Sequence, residues 1–247
     1  MADLRNYQNR AQTGVRSDAE IDQGLRAYML RVYNLMALGL VITGVAAFGV
    51  FSLSVSNGQL TQFGQVMYAS PLKWLVMFAP LIAFFFLAFR INKMTVAAAQ
   101  GAFWVYAALT GLSLSTIFLV YTGQSIVQTF FITAASFGAL SLYGYTTRRD
   151  LSAMGSFMVM GLFGIIIAML VNIFLQSAAL SFAVSVLGVL VFAGLTAWDT
   201  QKIKEMYYEG DGHEVAGRKA VMGALTLYLD FINMFLFLLR LFGNSRN

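Results

Sequence analysis

Seven predominantly apolar runs, each near twenty residues or a little longer, follow one another along the chain at about residues 30–53, 72–90, 95–120, 126–145, 155–176, 180–201 and 220–242. A helix needs about twenty apolar residues to cross the hydrocarbon core of a bilayer, so each run is long enough to span it. A membrane β-barrel would instead show ten-residue segments of alternating polarity, and these runs are continuous. The pattern predicts an all-α polytopic membrane protein with seven transmembrane helices. Charged residues concentrate in and beside the connections, the longest being about 202–219, and in the first 28 or so positions. That leading segment has mixed charge and lacks a short apolar core with a cleavage site, so it reads as a cytoplasmic tail and not as a signal peptide. The organisation expected is a tail over 1–28, one membrane domain over 29–243 and a short C-terminal tail over 244–247.

Charge gives these spans a direction. Lys and Arg in the N-terminal region and the successive connections number 5, 1, 2, 0, 2, 0 and 4. Basic residues concentrate on the cytoplasmic side, so the alternation places the N-terminus and every second connection there. Seven spans then put the C-terminus outside. Arg240 and Arg246, near that outer end, run against the trend.

Composition narrows the chemistry. The chain is 59% hydrophobic and 11% charged, against about a quarter charged for a soluble domain. It has no cysteine, so disulfides, thiol catalysis and Cys-based metal sites are excluded. Its single histidine, His213, lies in the polar stretch "EGDGHE", which reads as a solvated loop and excludes a histidine ligand cluster. The net charge of +5 is dispersed over membrane-flanking connections, a distribution that argues against nucleic acid as a partner. Pro80 falls inside the second span, where its missing N–H predicts a packing kink.

Of the 11 carboxylates, none occurs between Asp22 and Asp150, and only Asp199 and Asp230 lie within or at the edge of an apolar run. An ionised aspartate at the centre of a membrane helix costs roughly 2.5–3.5 kcal/mol on insertion scales, so such groups are functional candidates. Helical spacing places Asp199 on a stripe with Thr196, Gly188, Ser185 and Ser181. Asp230 shares a face with Gly223, Thr226 and Asn233. These small and polar stripes predict a polar interior lined by Thr196, Thr226 and Asn233. At ~1.5 Å per residue, Asp230 sits roughly 14 Å into its span while Asp199 lies near a span end, so straight helices leave the pair offset. If the two meet, they cannot both ionise cheaply in a low-dielectric site, and one proton is retained between them. Deprotonated, they form an oxygen site suited to weak binding of a hard cation such as Ca²⁺. Arg90 ends the second span on the same side as Asp199. It reads either as a counter-charge latching the two helices or as an ordinary snorkelling arginine.

The segments "ALTLYLDFINMFLFLLRLFG" (224–243), "AWDTQKIK" (197–204), "GLSLSTIFLVY" (111–121) and "SLYGYTTRRDLS" (141–152) resemble the bacterial branch of the Bax inhibitor-1, or transmembrane Bax-inhibitor-motif, family. The resemblance runs from about residue 25 to 243. It implies two three-helix layers around a central C-terminal seventh helix, and a pH-sensitive calcium leak of a bacterial inner membrane. The family's di-aspartyl sensor matches Asp199 and Asp230, and its latching arginine matches Arg90 in "FRINK". Two positions depart from the family pattern. Trp198 stands where relatives carry Tyr, and the connection between the last two spans is longer than in the shorter bacterial members.

The resemblance therefore implies a passive Ca²⁺ leak in the lipid bilayer that responds to protons, and no cofactor is expected. The alternative is a regulatory protein whose N-terminal tail engages a membrane-bound protease. Enzyme catalysis is disfavoured, because no span carries His or Cys and no GxSxG motif is present; intramembrane aspartyl proteolysis also uses two aspartates, but the glycine-flanked surroundings such sites resemble are absent here.

Overall fold

The computed structural model describes residues 2–246, with side chains described from Gln23 to Arg246. Helix α1 runs Ala2–Ser54 and is followed by a two-residue hairpin, β1 (Val55–Ser56) with β2 (Gln59–Leu60), and a short α2 (Gln62–Gly64). The remaining helices are α3 (Leu72–Arg90), α4 (Val96–Leu114), α5 (Ile117–Val120), α6 (Gly123–Thr146), α7 (Ser152–Leu175), α8 (Ala178–Glu205) and α9 (His213–Phe242). Among the described residues, seven helical segments are long and apolar enough to cross a membrane, matching the seven runs read from the sequence. The first of them begins at Gln23, and Tyr28 and Met29 are already buried in the core. The side chains of 2–22, and with them most of the expected tail, lie outside the described residues.

Local chemistry sets the helix ends. Thr95, Thr122 and Ser177 each accept an N–H from three residues on, satisfying a donor that the first turn leaves unpaired. Between α7 and α8 the chain turns at Gln176, which takes a left-handed φ of 48°, while Asn172 accepts the N–H of Ser177. The third span is interrupted, against the continuous helix expected over 95–120. The Ser115 hydroxyl donates to Leu112 O at 2.6 Å and accepts from Tyr68 at 2.9 Å, so a side chain competes for the helical ladder and α5 restarts beyond it. The connection expected over 202–219 contracts to 206–212, because α8 continues to Glu205 and α9 begins at His213. Lys219 closes this turn by donating to Met206 O and pairing with Asp211. His213 is exposed, as expected, but opens α9 instead of lying in a loop.

Helix α9 is the axis of the packing. It contacts α1, α4, α6 and α8, and Ala220, Val221, Ala224, Leu227 and Tyr228 on it have no exposed surface. Helices α1 and α3 pack on α4, while α6 and α7 pack on α8. Helices α3 and α7 are the least buried spans and carry large exposed side chains such as Trp74, Phe89, Phe163 and Phe174, as lipid-facing helices do. Close approach depends on glycine at two contacts. A Cβ on Gly144 would stand 2.1 Å from the Ala197 carbonyl oxygen, and one on Gly188 would stand 2.6 Å from the Phe237 ring.

The chain ends on a strap. Beyond α9, Thr122 donates to Asn244 O, and Arg246 donates through its backbone to Val120 O and through its guanidinium to Phe118 O at 2.9 Å. The same guanidinium lies over the Phe51 ring. Arg246, anomalous in the charge pattern, thus has a local structural role at this end of the bundle.

Candidate functional site: a buried pair of aspartates

The packing of α8 on α9 brings Asp199 and Asp230 together. Ile203 lies against Gly223 and Phe192 stacks on Phe237 at 5.9 Å, so counting along the antiparallel pair brings Asp199 level with positions 227–230. The depth offset expected from straight spans is removed because both helices extend beyond their apolar runs. The two carboxyl groups are within hydrogen-bonding reach of each other. Asp199 is 8% exposed and Asp230 4%. Oδ2 of Asp230 is fully buried and has no hydrogen-bond partner among the described residues. A carboxylate oxygen stripped of water and partners is costly, and a proton placed between the two groups would satisfy it.

The other predicted residues divide. Thr196 is fully buried, but its hydroxyl donates to Phe192 O at 2.7 Å. Thr226 donates to Met222 O at 3.1 Å, and the Asn233 amide donates to Leu229 O at 2.8 Å. All three are turned onto their own helices, and none donates to either aspartate. Arg90 is exposed at the end of α3, and the ion pairs among the described residues are Glu214–Arg218 and Asp211–Lys219. The arrangement does not join Arg90 to Asp199.

Lys202 stands three residues on from Asp199, about one turn further along α8. Its ammonium lies 4.9 Å above the Trp198 ring. The i,i+3 spacing in "WDTQK" was the available signal for it. Trp198 also packs against Gly155 on α7, where a Cβ would run into its ring. A hydroxyl chain that periodicity did not reveal runs beside the pair: Thr200 meets Ser141 at 2.9 Å, and Ser141 meets Tyr33 at 2.6 Å, linking α8, α6 and α1. On the other side, the hydroxyls of Tyr228 and Thr43 on α1 share a hydrogen bond of 2.6 Å.

Nearby connections are held by polar contacts at the same end of the bundle. Gln201 accepts from the Leu151 N–H and donates to Arg149 O, and Glu214 accepts from the Val96 N–H. Asp150, exposed before α7, accepts from Ser152, and those hydrogen bonds hold its carboxyl below the ordinary aspartate range. Among the described residues, no group of three or more His, Cys, Asp or Glu side chains could hold a metal ion. Asp199 and Asp230 are therefore a two-carboxylate site, with too few ligands for tight cation binding.

The sequence from residue 25 to 247 matches the family model described as inhibitor of apoptosis-promoting Bax1. The chain belongs to the Bax inhibitor-1 family. It is 54% identical over 228 residues to an uncharacterized protein of Rickettsia prowazekii, covering 92% of this chain and 93% of the relative. It is 46% identical over 235 residues to the inner membrane protein YbhL of Escherichia coli, covering 94% of this chain and 98% of that protein. An uncharacterized protein of Caulobacter vibrioides is also 46% identical, over 234 residues.

Proposed function

We propose that this family member is a passive, pH-sensitive leak for calcium across a bacterial inner membrane, with the Asp199–Asp230 pair as the gate. The observation that carries the reading is that the Asp230 carboxyl group, whose Oδ2 is buried and unpartnered among the described residues, has the Asp199 carboxyl group as its neighbour. With one proton between them, the two groups bond to each other and hold α8 against α9. Once that proton leaves, two like charges share a low-dielectric site and repel, which loosens the contact and offers oxygen ligands to a hard cation. Two carboxylates bind weakly, which suits passage more than storage. An inner-membrane location is supported by the likeness to YbhL, and the charge alternation supports a cytoplasmic N-terminus. Arg90 enters as a latch of a second arrangement, reached if α3, which packs chiefly on α4, swings toward α8.

The test is calcium flux against pH in proteoliposomes holding the full-length protein, with Na⁺ and Mg²⁺ as competing ions. Asp199→Asn and Asp230→Asn are each expected to flatten the pH response. Flux that keeps its full pH response in both variants would defeat the di-aspartyl gate.

A further inference from the structure

Away from the aspartates, a groove of about 620 Å³ opens between α1 and α6, with Phe231 of α9 on its floor. Its walls are apolar for most of their length, with Met36 and Leu40 facing Phe130 and Phe137, and its two ends differ. One end is marked by Arg26 and Tyr145, and Lys204 donates to the Tyr145 carbonyl oxygen at 2.8 Å. The other end is closed by apolar side chains only.

On α1 the lining runs from Arg26 to Leu40, about 21 Å at 1.5 Å per residue, and on α6 from Phe130 to Tyr145, about 22 Å. One leaflet, headgroup region included, is roughly 20–22 Å thick. The groove therefore follows a single leaflet, with its basic end at headgroup level. A basic mouth over an apolar trough one leaflet long complements a phosphate-bearing amphiphile.

We propose that the α1–α6 groove binds one acyl chain of an anionic phospholipid from the leaflet on the Arg26 side, with Arg26 holding the headgroup phosphate. The hydrogen bond between Tyr33 and Ser141 joins the two walls of the groove, and Ser141 also meets Thr200, the residue after Asp199, so the bound chain lies against hydroxyls that lead toward the aspartate-bearing helix α8. The inference rests on the shape and charge of the groove and is independent of the calcium reading.

Gly138 supplies the test, because it lines the groove and a Cβ built there meets nothing within 4 Å. Native mass spectrometry of the full-length protein in detergent, titrated with palmitoyl-oleoyl phosphatidylglycerol, should resolve one retained lipid. Gly138→Phe and, from the opposite wall, Ala37→Phe should each weaken that binding at least about tenfold with helical content unchanged by circular dichroism. Arg26→Gln should weaken phosphatidylglycerol about tenfold and leave dioleoylglycerol, which carries no phosphate, unaffected. Undiminished phosphatidylglycerol binding in both groove-filling variants would overturn the site. Equal loss of both lipids in Arg26→Gln, or oleate competing as well as phosphatidylglycerol, would overturn the phosphate assignment.

Discussion

Asp199 and Asp230 stood out in the sequence because carboxylates are scarce in apolar runs, and their faces followed from helical spacing. Their contact did not, since it depends on how far α8 and α9 extend beyond the membrane and on which residues face each other across the pair. Thr196, Thr226 and Asn233 on the same faces each bond the carbonyl four residues back, a pairing open to a hydroxyl or amide on any helix and therefore without a signal of its own in the sequence. Tyr228 and Thr43 illustrate the polar bookkeeping inside this bundle. Thr43 also donates toward Gly39 O and Ala107 O, so it keeps a partner when Tyr228 is truncated. Tyr228→Phe should therefore cost about 1 kcal/mol of stability. Thr43→Val takes away the 2.6 Å partner of the buried Tyr228 hydroxyl, leaving only the Thr110 hydroxyl nearby, and should cost about 1–3 kcal/mol, the larger loss. Thermal unfolding of both variants in one detergent checks the order, and equal or inverted losses would contradict it.

At the scale of elements, the seven runs predicted the seven spans, but their ends moved wherever polar residues continued a helix. "DTQKIKE" extends α8 to Glu205, and "HEVAGRK" begins α9 seven residues before the apolar run, which converts an expected long loop into a seven-residue turn. Neither extension leaves a hydropathy signal, because a charged stretch can be helix or loop. The Ser115 break was equally silent, since it needs Tyr68 from a distant segment. Glycine positions carry the helix contacts. Gly144→Ala sets a methyl group against a backbone carbonyl, which cannot rotate away, whereas Gly188→Ala meets a phenyl ring that can shift. Overpacking costs about 1–3 kcal/mol, and Gly144→Ala should lie at the upper end and Gly188→Ala at the lower. Unfolding midpoints of the two variants measure this directly.

For the whole molecule, family membership was legible in the segments around Asp199 and Asp230, while the role of the last residues was not. Arg246 looked like an exception to the charge pattern and proves to be bonded to Phe118 O, so its position reflects a local strap. The charge alternation still predicts that the two termini lie on opposite sides. A topology reporter fused after Asn247 should read out as external and one before Met1 as cytoplasmic, and the same side for both would remove the orientation. In the central claim, the two aspartates form one unit around a shared proton. Infrared difference spectroscopy of the protonated carboxyl band, followed through a pH titration of the purified protein, addresses that unit without reference to flux. The account predicts one titrating band that both Asp199→Asn and Asp230→Asn alter. A band altered by only one of the two substitutions, or none that titrates, would contradict it.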